Sequence, residues 1–313
     1  MSTTEIAPTI EVSYPSGIEI RYFAADKEAK VKRHYELRKC EHGTPTPEFE
    51  LVPSVTEVQN LLKKEALISW AQRVGANGMI QLFNMGVLRP VQYGNQTVLG
   101  THTTDKGVVV VGEEEALELI KRYRLSTDAL KEAGGERGQS CHVALETWAK
   151  TGSFPAPATY PITEQGYVIA LEHFLRQSRA IARRYEVVVG SAKYGYAGRF
   201  DMDIEIPQSV ELQVHWTPAG RGDRSEWFEA GLYRIDLKTS KGIFEEQTEQ
   251  LEAYEQAAIE CELPETLARV VLNCNENGKY RFGRSWSTFA DFQTTLEKWH
   301  TNELRKARKK EMA

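Results

Sequence analysis

Apolar side chains recur at every second position in two segments of this chain. Residues 196–206 read YAGRFDMDIEI, and residues 232–237 read LYRIDL. A period of two is typical of a β-strand with one packed face, so both segments are predicted strands. Shorter apolar runs predict further strands at 185–192, 267–274 and 279–282.

The N-terminal region is predicted to form strands followed by a helix. The predicted strands form a hairpin over 10–23 and two single strands at 31–37 and 49–52. Ser54 followed by Glu57 three positions later matches a capping box, which predicts that a helix begins there. Apolar residues at helical spacing extend this helix to about Gly75.

Helical spacing of apolar residues predicts several more helices. They cover 113–124, 128–148, 164–184, 245–260 and the aromatic C-terminal segment. The second of these is expected to be interrupted at Gly134-Gly135, because glycine weakens the interior of a helix.

Two of the predicted strands carry acidic residues, and one of them also carries a lysine. Because side chains alternate along a strand, Asp236 and Lys238 share one face. With Asp201 on the other strand, the two carboxylates are suited to Mg²⁺, which takes oxygen ligands and commonly leaves room for water and a substrate phosphate. Lys238 would orient or deprotonate that water and offset the charge of the transition state. A surface ion pair on an exposed sheet is the alternative interpretation.

Three short runs carry a resemblance to a known family. They are GRFD at 198–201, IDLKTSKG at 235–242 and QLEAY at 250–254. In this order they resemble the motifs of the PD-(D/E)XK nuclease superfamily, in its RecB-type branch. The run from VPSVTEV to ALISWA, at 52–71, is similar to the N-terminal part of phage-encoded recombination exonucleases of that branch.

The resemblance implies metal ligands. They are Asp201, Asp236, the backbone carbonyl of Leu237 and His142, and Glu186 is a further candidate. Because imidazole suits Mn²⁺ better than Mg²⁺, the implied cofactor is Mg²⁺ or Mn²⁺. The catalytic residues would be Asp201, Asp236 and Lys238. An ordinary structural role is the alternative for His142 and Glu186.

The resemblance also implies contacts with DNA. Gln250 and Tyr254, four positions apart on one helical face, would hold the strand end or backbone. Further candidates for DNA contact are Arg199, Thr239 and Ser240.

The fold implied by the resemblance is α/β, with a restriction-endonuclease-like core in which helices flank a mixed central sheet. We predict two domains. Residues 1–125 would form an N-terminal α+β elaboration of a hairpin and helices. Residues 126–313 would form the nuclease core with its C-terminal helix.

The implied activity is a metal-dependent DNA exonuclease that processes duplex ends for phage recombination or repair. A structure-specific endonuclease and a catalytically silent DNA-binding scaffold are the alternatives. The implied partners are DNA ends and a single-strand annealing protein, and the sequence leaves the oligomeric state open.

One segment departs from the family pattern, because residues 207–230 lengthen the connection between the strands that carry Asp201 and Asp236. We interpret this insertion as a loop or an extended hairpin at the sheet edge. Arg221 and Arg224 would either contact DNA or face solvent.

Net charge, cysteine spacing and the lack of long apolar runs each argue against a class of protein. The 313 residues carry a formal net charge of −5, which argues against a protein that coats DNA through overall charge. Cys40, Cys141, Cys261 and Cys274 form no C-x-x-C pair, so we expect no zinc knuckle. Some members of the resembled family hold an iron–sulfur cluster on one upstream cysteine and a tight C-terminal trio, and because that trio is absent we expect no such cluster. The sequence shows no run suited to a membrane span and no signal peptide, so the expected location is the cytoplasm, that of the host cell if the protein is phage-encoded.

Overall fold

The computed structural model describes residues 7–26, 31–41, 44–45, 48–93, 96–100, 111–214 and 224–311. The helices are α1 Val55–Gln59, α2 Lys63–Asn84, α3 Glu113–Arg122, α4 Thr127–Thr151, α5 Ile162–Ser178, α6 Glu245–Glu260 and α7 Phe289–Glu311. The first seven strands are β1 Ile10–Ser13, β2 Ile18–Phe23, β3 His34–Glu41, β4 Thr44–Pro45, β5 Glu50–Val52, β6 Arg89–Tyr93 and β7 Gln96–Gly100. The remaining strands are β8 Ile181–Ser191, β9 Tyr196–Ile206, β10 Val210–Val214, β11 Arg224–Phe228, β12 Gly231–Lys238, β13 Ala268–Cys274 and β14 Tyr280–Arg284.

The chain divides into two compact units. The first contains Met1–Leu62 together with Arg137–Ala313, and the second is Lys63–Glu136. This division does not coincide with the predicted boundary after residue 125. The physical reason is packing, because Ile20 and Val55 are buried in the same apolar cluster as Phe200 and Tyr254.

The first unit is built on a mixed five-stranded sheet with the strand order β14-β13-β12-β9-β8. Strands β12 and β13 are parallel, and the other neighbours are antiparallel. Side chains of α4 and α5 pack with one apolar cluster of this sheet, and side chains of α1, α6 and α7 pack with another. The predicted α/β class with a mixed sheet between helices is confirmed.

The N-terminal strands form a second sheet in the order β1-β2-β3-β4, with β5 also paired to β3. The predicted hairpin turns between Ser13 and Ile18. Ser54 is the N-cap of α1, and its hydroxyl accepts a hydrogen bond of 3.1 Å from the amide of Glu57. The capping-box prediction of a helix start at this serine is confirmed.

The second unit contains α2, the β6–β7 hairpin, α3 and the beginning of α4. Its small core comprises Leu82, Leu88 and Ile120. Two sequence predictions are wrong here. Helix α2 continues past Gly75 to Asn84, and α4 is not interrupted at Gly134-Gly135. Glycine only weakens a helix, and neighbouring residues can maintain it.

Two other boundaries differ from the predictions. Helix α5 ends at Ser178 rather than near 184, because Arg179 adopts a left-handed backbone that terminates it, and β8 then begins at Ile181.

The inserted segment contains an extended hairpin, β10 paired with β11. Arg224 begins β11, whereas Arg221 lies outside the described residues.

Within the described residues, none of the helices has the combination of length and apolar character that crossing a membrane would require.

Candidate active site

The acidic residues of β9 and β12 lie where these two strands separate. The last paired residues of β12 and β9 are Ile235 and Met202, and Asp236 and Asp201 are the next positions along the two strands. Asp201 Oδ2 accepts a hydrogen bond of 2.7 Å from the amide of Leu237. A side-chain carboxylate therefore takes the place of a backbone acceptor, which holds Asp201 against β12 while the strands diverge.

Asp236 and Lys238 meet on one face of β12. Lys238 Nζ contacts Asp236 Oδ2, and the Asp236 side chain is 2% exposed. Burial raises the pKa of Asp236 to about 6, although the Lys238 ammonium opposes the rise. Loss of hydration disfavours the Lys238 ammonium, but Asp236 and Asp201 outweigh this and raise its pKa. The two carboxylates therefore favour the charged form of the lysine, which contacts Asp236.

Three further groups converge beside this pair from α4, β8 and β9. His142 Nδ1 lies 3.7 Å from Glu186 Oε1 and 4.0 Å from Asp201 Oδ1. One ligand-type atom from each of the three residues lies within 4.8 Å of the other two. Two carboxylates and an imidazole at this spacing are a donor set that Mg²⁺ and Mn²⁺ accept. All three side chains remain partly exposed, so the cluster is open to a ligand.

Glu186 reaches this cluster through an irregular backbone. Its φ is +50°, a left-handed conformation that is uncommon for a residue within a strand. The pairing of β8 with β9 shifts register between Ala182 and Arg184, just before this position. Such local strain is often found at functional sites, where the surrounding fold maintains it.

Arg199 binds Glu186 rather than standing free. Its Nε lies 2.6 Å from Glu186 Oε2, and its guanidinium lies over the ring of Tyr22 at 5.1 Å. Burial raises the pKa of Glu186, and the positive charge of Arg199 opposes that rise. Arg199, a predicted DNA contact, thus orients one acid of the cluster in this structure.

The pair Gln250 and Tyr254 is formed on α6. Gln250 Nε2 donates a 2.8 Å hydrogen bond to the Tyr254 hydroxyl. Tyr254 is 3% exposed and packs against the backbone of Gly198. Of the two predicted DNA contacts, Gln250 is the partly exposed one, and Tyr254 lies beneath it.

Thr239 and Ser240 begin the loop between β12 and α6, and both are partly exposed. Ser240 already forms hydrogen bonds within the loop and with β13. The Asn273 side-chain amide donates to the Ser240 carbonyl at 2.8 Å, and the Ser240 hydroxyl donates to the carbonyl of Gly242 at 2.7 Å. These bonds fix the loop that follows Lys238.

Beside the candidate site lies a buried ionic group that was not foreseen from the sequence. Arg234 is fully buried, and its guanidinium binds Asp203 at 2.9 and 3.1 Å and Glu255 at 2.7 Å. It also donates to the carbonyl of Tyr254 at 3.3 Å, which links β12 to α6. A usable signal was present, because Asp203 and Arg234 occupy alternating positions next to Asp201 and Asp236.

No family model matches this chain, and no curated protein is detectably similar to it. The resemblance to PD-(D/E)XK nucleases therefore rests on the sequence motifs.

Proposed function

We propose that this protein is a metal-dependent deoxyribonuclease of the PD-(D/E)XK type. The observation that carries the proposal is the convergence of His142, Glu186 and Asp201 with the Asp236–Lys238 pair where β9 and β12 separate. Five groups of the types used to hydrolyse a phosphodiester thus meet around one opening of the sheet. A structural ion pair would explain Asp236 and Lys238, but it does not account for the clustering of His142, Glu186 and Asp201 beside them.

The proposed ligands are His142, Asp201 and Asp236, with Glu186 and the carbonyl of Leu237 as further donors. A divalent cation there would polarise a phosphoryl oxygen and lower the pKa of a bound water. The hydrogen bond from the amide of Leu237 fixes the orientation of the Asp201 carboxylate. The ammonium of Lys238 orients the attacking water and offsets the negative charge that grows on the phosphate in the transition state.

We further propose that the enzyme acts on duplex DNA ends, as an exonuclease in phage recombination or repair. The support is the resemblance of the motifs, together with the partial exposure of Gln250 on α6. A single-strand annealing protein would be the partner that uses the product. The corresponding compartment is the cytoplasm of the host cell.

The first experiment compares linear duplex, covalently closed circular and single-stranded DNA. Each substrate is incubated with Mg²⁺, Mn²⁺ or a chelator. Lys238→Ala tests the catalytic lysine, and Lys298→Ala, at an exposed position of α7, is the matched control. We expect progressive loss of linear DNA that requires metal and Lys238, and no effect of the control substitution.

The other outcomes are equally informative. Cutting of the closed circle would replace the exonuclease with an endonuclease. Binding of DNA without cleavage of any substrate would favour the silent scaffold. Cleavage at parental rate by both Lys238→Ala and Asp236→Ala would refute the site assignment.

Metal binding has its own measurement, independent of turnover. We expect Mn²⁺ to raise the melting temperature of the parent protein, because a ligand that binds only the folded state stabilises it. His142→Ala should reduce this shift. An equal Mn²⁺ shift in the parent and in His142→Ala would remove the histidine from the ligand set.

A further inference from the structure

Three cationic side chains gather around the loop that follows Lys238. This β12–α6 loop contains Thr239, Ser240, Lys241 and Gly242. Arg137, from α4, donates its Nε hydrogen to the carbonyl of Thr239 at 3.4 Å. Arg281, from β14, donates to the carbonyl of Lys241 at 3.0 Å. Together with Lys241 itself, these arginines bring three cationic residues to the loop that follows the catalytic lysine.

These three cations have no ion-pair partner in the described part of the chain. Two other arginines of the sheet are ion-paired, Arg199 with Glu186 and Arg269 with Glu252. The guanidinium of Arg137 is instead held over the ring of Tyr167 at 5.5 Å. Arg137 is partly exposed, so a ligand can approach it.

Four carboxylates lie in the neighbourhood of this cationic group. Asp236, Asp201 and Glu246 act electrostatically on Lys238, and Glu276 acts on Tyr167. None of the four forms an ion pair with the three cations among the described residues. On a chain whose net charge is −5, any attraction for a polyanion has to come from a local cationic surface such as this one.

The β12–α6 loop is held in place from below. Asn273 is buried, and its side-chain amide donates to the carbonyl of Ser240 at 2.8 Å and to its hydroxyl at 3.2 Å. Gln247 Nε2 donates to the same hydroxyl at 3.3 Å. Because the carbonyls that bind Arg137 and Arg281 belong to this fixed loop, the cations are positioned before a ligand arrives. Such preorganisation reduces the entropy lost on binding.

We propose that Arg137, Lys241 and Arg281 form a phosphate-binding surface that holds the nucleic-acid backbone beside the scissile phosphate. The inference rests on the proposed function and assigns the binding of neighbouring phosphates to particular side chains. Guanidinium groups match phosphate oxygens through paired N–H donors, and the lysine adds a mobile point charge. The position of the loop directly after Lys238 places the bound phosphates next to the chemistry.

The test measures binding separately from cleavage. In an Asp236→Asn background, Arg137→Gln, Lys241→Gln and Arg281→Gln are combined, and duplex DNA affinity is measured as salt rises from about 50 to 200 mM. Each lost phosphate contact should make the slope of log K against log salt shallower by about 0.9. At about 0.1 M salt this corresponds to roughly eightfold weaker binding per contact.

The matched control removes the same charge elsewhere. Arg305→Gln, Arg308→Gln and Lys309→Gln alter three exposed positions of α7. We expect the loop variant to lose far more affinity than the control, at unchanged melting temperature. In the active enzyme, Arg137→Gln should raise KM more than it lowers kcat, and Arg137→Lys should restore part of the loss.

The outcomes separate this inference from the proposed function. If the parent cuts DNA but the loop variant keeps its affinity and salt slope, the surface is wrong and the nuclease stands. Equal losses in the loop variant and the control would show an effect of overall charge and overturn the surface. A parent that neither binds nor cuts DNA overturns both.

Discussion

Replacement of the buried Arg234 by methionine should destabilise the first unit strongly. Methionine fills a similar volume but leaves Asp203 and Glu255 without their shared cation. Breaking a buried ion pair by removing one partner costs about 3–5 kcal/mol. Arg184 remains 3.5 Å from Asp203, and Thr266 still donates two hydrogen bonds to Glu255. We therefore expect the lower end, about 3 kcal/mol in the free energy of unfolding.

Urea unfolding followed by circular dichroism measures this loss. With an m value of about 2–3 kcal/mol/M, the midpoint should fall by roughly 1–1.5 M. Arg183→Met is the matched control, because Arg183 pairs with Glu205 at the partly exposed surface of the same sheet. A surface pair of this kind contributes about 0–1 kcal/mol. Equal midpoints for the two variants would refute the argument that burial decides the cost.

The pH dependence gives this prediction a second readout. Burial already raises the pKa of Asp203, and Arg234 opposes the rise. Without Arg234 the pKa in the folded state must rise further above that of the unfolded state, so protonation favours folding. The loss of stability in Arg234→Met should therefore be largest above the folded pKa and smaller as pH falls through it. If Arg234→Met loses the same free energy of unfolding at about pH 8 and pH 5, an uncompensated carboxylate is not the cause of the loss.

Three further substitutions test close contacts described above. Gly198→Ala would place a Cβ 2.5 Å from the Tyr254 ring, so we expect the free energy of unfolding in urea to fall by about 1–3 kcal/mol. An unchanged midpoint would argue against this packing. Gly166→Ala would place a Cβ 1.8 Å from the backbone oxygen of Glu276. Because the backbone cannot rotate away as a side chain can, the melting temperature should fall further than in Gly198→Ala. Asn273→Ala removes the amide that holds the β12–α6 loop, so the loop amides should exchange hydrogen faster while those of β13 keep their protection.

The alternating pattern of β9 and β12 was sufficient to predict the centre of the fold. Strand β9 was predicted over its full range, and β12 extends one residue further at each end than predicted. In β12, Tyr233, Ile235 and Leu237 pack in one apolar cluster, so the packed face imposes a period of two on the sequence. The ends of α2 and α5 were predicted less well, because they depend on backbone conformation and neighbouring packing rather than on periodicity.

The sequence could indicate which residues of the candidate site share a strand, but not how the strands diverge. It placed Asp236 and Lys238 on one face, where the two side chains are in contact. It could not reveal the left-handed backbone of Glu186, which lies close to the register shift between β8 and β9, or the ion pair between Arg199 and Glu186. The burial of Tyr254 depends on the close approach of α6 to Gly198, which a helical spacing of four does not encode.

The β10–β11 hairpin has a consequence for how this protein can be modified. It leaves and rejoins the sheet between Ile206 and Gly231, which are paired with each other. Leu212 and Phe228 of the hairpin are buried in the apolar cluster of the main sheet, whereas the acidic residues of the candidate site belong to β9 and β12. Because each doubling of loop length costs only about 0.6 kcal/mol, we expect the chain to tolerate an insertion between β10 and β11. A reporter inserted between β10 and β11 should therefore leave the acidic residues of β9 and β12 in place.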